Sequence, residues 1–194
     1  MRSEQSQTNS PTVETIRAAF GAFDMAAPAS PAEYRLAHAF AERLIGGKNA
    51  SAATLRRVQD LSGASLFLFK EDAELAGFVA IILLNGRGLK AVLADRFDAT
   101  RPLSRLVARR DSEPAAAYAW GIAAANHDAA KRMMQALGVA VGRAVPHLAF
   151  FGRVATDAGR RLVIDRIGFK PVPGSKTGLL WIEPLRQREP AAAA

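Results

Sequence analysis

The sequence predicts an α/β fold, a sheet flanked by helices, on three observations. Two capped amphipathic patterns stand in the first third of the chain. Two apolar runs joined by a short polar turn follow them. From Ala116 onward, strand-like apolar runs alternate with helical patterns. The composition agrees: 194 residues, 49% hydrophobic and 23% charged, enough for one domain with a sizeable core and too apolar for a disordered chain.

Residues 1–11 are polar and read as a disordered tail. Thr12 to Phe23 reads as a helix with Val13, Ile16 and Phe20 on one face. Met25 to Pro31 contains two prolines and reads as a linker. Ser30 caps the next helix, with Pro31 at its first position and Glu33 at its third. Its apolar stripe is Leu36, Phe40 and Leu44, and Gly46-Gly47 ends it. Ser51 caps a further helix from Ala52 to Leu61. Ala64–Phe69 and Ala76–Leu84, joined by Lys70–Glu74, read as an antiparallel hairpin. Asn85-Gly86-Arg87-Gly88 is a turn signal, Leu89–Ala94 a further strand, and Thr100–Arg110 a helix with Pro102 in its first turn. Ala116–Ala123 is a strand, Ala129–Val141 a helix with Met133, Leu137 and Val141 on one stripe, and His147–Val154 a strand. Ala158–Ile167 is a helix stopped by Gly168, and Gly178–Ile182 is the last strand. The domain is therefore expected at 12–186, with a frayed tail at 187–194.

Composition excludes several chemistries. With no cysteine, the chain has no disulfide scaffold, thiolate metal site or cysteine nucleophile. The histidines at 38, 127 and 147 fit no zinc spacing, so no metal is expected. The longest clean apolar run, Phe78–Leu84, falls far short of the ~20 residues of a spanning helix, and the polar N-terminus lacks a secretory pattern. A soluble cytoplasmic protein with no membrane partner is the expectation. Charge is uneven: of a net +8, residues 131–194 carry 11 Lys+Arg against 4 Asp+Glu. Such a basic third attracts a phosphate-rich cofactor or another polyanion, or is simply a solvated surface.

Two helices, a hairpin, then strand–helix–strand–helix–strand, together with the run Thr156-Asp-Ala-Gly-Arg-Arg-Leu-Val-Ile-Asp-Arg-Ile-Gly-Phe-Lys-Pro-Val172, resemble the GNAT (GCN5-related N-acetyltransferase) superfamily. The resemblance is strongest over Tyr118–Glu183. It implies a mixed, mostly antiparallel central sheet in which Ala116–Ala123 splays from His147–Val154, with acyl-CoA in the gap. It also implies an acyl-CoA-dependent N-acyltransferase, with acetyl-CoA as cosubstrate and a small-molecule or protein amine as acceptor. On this view the backbone of Ile122 and Ala123 holds the pantetheine. The turn Asn126, His127, Asp128, Ala129, Ala130 and Lys131 holds the pyrophosphate, and Thr156 lies near the cofactor. A helix N-terminus offers unpaired N–H groups and a positive dipole end to such an anion.

Two departures stand out. The family's basic glycine-rich turn has no counterpart, since no glycine lies between Gly121 and Gly138 and Asp128 repels a phosphate. The tyrosine that many members place five residues before the phenylalanine of Gly-Phe is Ile164 here, which donates no proton. Acyl transfer to an amine needs a proton sink and a donor to the leaving thiolate. Tyr118 and His127 are the substitutes, with His147 behind them; each also reads as an ordinary core, capping or surface residue. Asp95 and Asp98 form a conceivable acid/base pair or simple turn caps. Gly174-Ser-Lys-Thr177 is not a phosphate loop, because its upstream glycine is misplaced and a strand follows it.

These readings leave three functions. The first is an N-acyltransferase. The second is a catalytically inactive binding or regulatory module of the same fold, for which a homodimer is conceivable. The third, less favoured, is nucleic-acid binding through the basic last third, so nucleic acid is not the expected partner.

Overall fold

The computed structural model describes residues 9–185. Of the predicted tails 1–11 and 187–194, residues 1–8 and 187–194 lie outside the described residues. Ser10 already belongs to the folded part. It is buried, its N–H donates to the Arg110 carbonyl at 2.6 Å, and its hydroxyl caps α1 (Pro11–Gly21). In α1, Val13, Ile16 and Phe20 are buried as the spacing predicts. Met25–Ala26, predicted as linker, is strand β1 instead, because its register against Leu68–Phe69 lets Met25 fill the core.

Helix α2 (Pro31–Leu44) starts on Ser30, whose hydroxyl accepts the Glu33 N–H, and α3 (Ala52–Ser62) starts on Ser51 in the same way. The predicted stripe of α2 is corrected. Leu36 is 56% and Leu44 41% exposed, while Tyr34, Ala37, Phe40 and Ala41 are buried.

Strands β2 (Leu66–Glu71) and β3 (Glu74–Leu84) form the hairpin, closed by Asp72 and Ala73 at φ +50° and +67°. Both strands are apolar on both faces because helices cover both sides of the sheet. Phe67, Phe69, Val79, Ile81 and Leu83 pack with α1, while Leu66, Leu68, Phe78 and Ala80 pack with α2 and α3.

Two predicted elements are overturned between residues 85 and 110. Gly86–Leu93 is helix α4, not a turn followed by a strand. The Asn85 side chain accepts the Arg87 and Gly88 N–H groups at 3.0 Å and so caps a helix at the residues that read as a turn. Thr100–Arg110 is no helix beyond the single 3-10 turn Ser104–Leu106. Its end lies against the part of β3 that extends past β2: the Ala108 N–H donates to the Leu83 carbonyl at 2.8 Å, and Val107 bridges Leu84. A strand edge that would otherwise be open is thereby covered.

Strand β4 (Ala116–Ala124), helix α5 (His127–Ala144), strand β5 (Phe150–Gly152), helix α6 (Asp157–Arg161), and strands β6 (Lys170–Pro171) and β7 (Leu180–Ile182) complete the chain. β5 is shorter than its predicted span. α6 passes into a single π-helical turn, Leu162–Arg166, and Gly168 at φ +87° ends it. On α5, Ala129, Met133, Ala136, Ala140 and Ala144 are buried, and Leu137 and Val141 lie at the margin. The sheet order is β1-β2-β3-β4-β5-β7-β6, antiparallel throughout except for the parallel pair β4–β5. This is the mixed, mostly antiparallel sheet that the resemblance implied. Among the described residues, no helix is long and apolar enough to cross a membrane.

Candidate functional site

The parallel pair is joined over only three residue pairs, Ala117–Ala119 against Phe150–Gly152. Beyond them the strands part. The register of β4 against β3 shifts between Ala80 and Ile81, which pair with Gly121 and Ala119, so Trp120 is the extra residue of a β-bulge. A bulge bends its strand and here carries the end of β4 away from β5. The Trp120 indole N–H donates to the Ala99 carbonyl at 2.7 Å and fixes the bend.

The gap is a cleft of about 530 Å³. Its floor is Tyr118–Ala124. One wall is the loop after α2, Leu44–Ala50, with Ala99 and Thr100. The other is Arg153–Thr156 with Gly159, Val163, Ile167 and Met134.

Antiparallel geometry decides which backbone groups of the floor are free. The Ala125 N–H donates to the Ala76 carbonyl at 2.8 Å. By alternation, Ala123 and Gly121 direct their N–H and C=O groups at Phe78 and Ala80 of β3, while Ile122 and Ala124 direct theirs away, into the cleft. Ile122 thus directs its backbone groups into the cleft. Ala123 is corrected: its backbone groups serve the sheet, and Ala124 is the next residue whose backbone faces the cleft.

Thr156 lines the cleft, but its hydroxyl accepts the Gly159 N–H at 3.1 Å and caps the start of α6. Asn126, His127, Asp128, Ala129, Ala130 and Lys131 lie at the start of α5 and none of them lines the cleft. The Asn126 side chain accepts the Ala129 N–H at 2.8 Å and donates to Glu71 at 3.2 Å. One N–H that a phosphate would use is thus already capped, and the carboxylates of Glu71 and Asp128 stand nearby. Arg132 turns to the other side, over the Phe69 ring and toward Asp24. His127 and His147 are exposed and outside the cleft.

Tyr118 does line the cleft. It is only 3% exposed and packs against Phe97 with ring centroids 5.2 Å apart. Burial pushes its phenol above the ordinary range, so the group stays protonated at neutral pH.

Arg153, which the sequence did not single out, brings charge into the cleft from the end of β5. Its Nε donates to Thr177 Oγ1 at 3.0 Å and its Nη2 to Asp95 Oδ1 at 3.3 Å. Asp95 also accepts from the Thr177 hydroxyl, the Lys176 N–H at 2.9 Å and the Ser175 hydroxyl at 3.3 Å. The Thr177 hydroxyl above all, with Lys176 N–H and Arg153, holds the Asp95 carboxyl below its usual range. The segment Ser175–Thr177 is therefore folded around an internal carboxylate. Asp98 does not pair with Asp95: it accepts from the Thr100 N–H and hydroxyl within its own turn.

The signals that could have revealed this geometry were a glycine inside an apolar strand, Gly121, which often marks a bulge, and an arginine just past a strand end. Among the described residues, no three His, Asp or Glu side chains come together as a metal site.

No protein-family model matches the chain, and no curated protein matches it. Among solved structures the chain is similar to the GphF GNAT-like decarboxylase in complex with isobutyryl-CoA. That likeness has 21% identity and a TM-score of 0.48, and covers 71% of this chain and 69% of that one.

Proposed function

We propose that the cleft between β4 and β5 receives the pantetheine arm of an acyl thioester, and that the protein is an acyl-CoA-dependent N-acyltransferase with acetyl-CoA as cosubstrate. The observation that carries this reading is the free backbone edge at Ile122 and Ala124 beside a strand that has parted from its neighbour. A pantetheine arm is extended and contains two amides, so it can hydrogen-bond to such an edge as an added strand would. Acyl-CoA supplies an activated carbonyl. The chain supplies the edge that aligns it and, at the floor, the protonated Tyr118 phenol. The start of α5 does not offer a comparable cradle to the nucleotide phosphates, so affinity resides mainly in the arm and the acyl end.

Calorimetry with acetyl-CoA at physiological salt tests the reading; no heat at millimolar ligand removes it. Ala124→Pro deletes one cleft-facing N–H and leaves the sheet bonds of Ala123 and Ala125 in place. Losing one hydrogen bond predicts an affinity lower by roughly 2- to 12-fold.

The capped start of α5, with Glu71 and Asp128 beside it, favours a second reading: a binding or regulatory module without turnover. Thiol release against a panel of amines separates the two, since robust turnover ends the second.

A further inference from the structure

We propose that the cleft is built for a carboxylate-bearing substrate, held by Arg153 and Tyr118. The inference rests on the acyl-thioester reading and deepens it. Lys48 and Arg153 are the charged side chains that line the cleft, and no Asp or Glu lines it. Lys48 stands exposed at the rim, whereas Arg153 is only one-third exposed and is clamped by Thr177 and Asp95. That clamp uses the Nε N–H and one Nη2 N–H. Three of the five guanidinium donors remain, on the rigid fork that suits a carboxylate.

Tyr118 supplies the complementary donor. The residue is almost wholly buried and borders the same cleft, and burial keeps its phenol protonated. Ile122, Met134, Val154, Val163 and Ile167 contribute apolar surface to the lining, with Asn49, Thr100 and Thr156 as further uncharged polar side chains.

The carboxylate can sit on the acyl group or on the acceptor, and two calorimetric arms distinguish these sources. One compares malonyl-CoA with acetyl-CoA. The other compares N-acetylglycine with N-acetylglycinamide in the presence of saturating CoA. The wild-type protein is expected to prefer the carboxylate in one arm by about tenfold. Arg153→Gln is expected to bring that ratio to about one, and Tyr118→Phe, which keeps the ring against Phe97, to reduce it. Circular dichroism verifies that each variant folds. Ratios near one in both arms of the wild type overturn the proposal, as does a preference that survives both substitutions. Failure of both CoA esters to bind overturns the acyl-thioester reading itself, and this inference with it.

Discussion

Replacing Gly88 by alanine sets two effects of opposite sign against each other. Alanine in a helix is favoured over glycine by up to about 1 kcal/mol. Gly88 lies in the first turn of α4, so propensity alone predicts a modest gain. Packing predicts the reverse. A Cβ at this position would stand 2.2 Å from the Leu106 carbonyl oxygen and 3.1 Å from the Leu84 side chain. That carbonyl cannot retreat freely. The Asn85 N–H donates to it at 3.2 Å, and Asn85 Nδ2 holds the flanking carbonyls of Arg105 and Val107 at 2.9 and 3.1 Å. Relief requires α4 to move off the 104–107 segment and strain the Asn85 cap. Overpacking against a held backbone costs about 1–3 kcal/mol and a lost cap about 1 kcal/mol. The net expectation is a loss of about 1–3 kcal/mol, or a Tm lower by about 2–12 °C in a domain of this size. Gly138→Ala is the reference. It lies within α5 with no heavy atom within 4 Å of the new Cβ, so its Tm is expected to rise by about 1–4 °C. Thermal melts by circular dichroism measure both. A Gly88→Ala protein that melts at or above the wild-type temperature would falsify the packing of α4 on this loop.

Two further outcomes follow from the polar groups. Gln59 is buried and its Oε1 accepts the Ser65 and Leu66 N–H groups at 2.7 and 2.8 Å; Gln59→Leu leaves both donors unpaired and is expected to cost about 2–5 kcal/mol by urea melts, and a loss under about 1 kcal/mol would refute the assignment. The Asp95 carboxyl is held below its ordinary value of 3.8, so its contribution to stability is fully present above that value and is lost as pH falls through the lower folded-state midpoint. In an NMR titration, Thr177→Val is expected to raise the Asp95 midpoint toward the ordinary value, and an unmoved midpoint would discard the network as the cause.

Where a single residue's local chemistry decides the structure, the sequence was legible. Ser30 and Ser51 cap their helices as read, and Gly168 ends the last one in the left-handed conformation. Asn85 read as a turn residue but caps a helix, and what holds it there lies in Leu106 and Val107, some twenty residues away. Leu36 and Leu44 were placed inside by periodicity, but the surface of the sheet admitted alanines on that face of α2. Of the residues that line the cleft, Tyr118 and Ile122 had been singled out in the sequence. Arg153 was not, because its significance comes from Asp95 and Thr177, which are distant in sequence.

Apolar periodicity and capping residues by themselves determined the helices at 11–21, 31–44, 52–62 and 127–144, the hairpin and the α/β class, since each depends on neighbours within a few positions. The bulge at Trp120, the parting of β4 from β5 and the charge carried into the gap belong to the assembled molecule. They arise from hydrogen-bond register between strands and from side chains brought together across some eighty residues, and no local pattern records either.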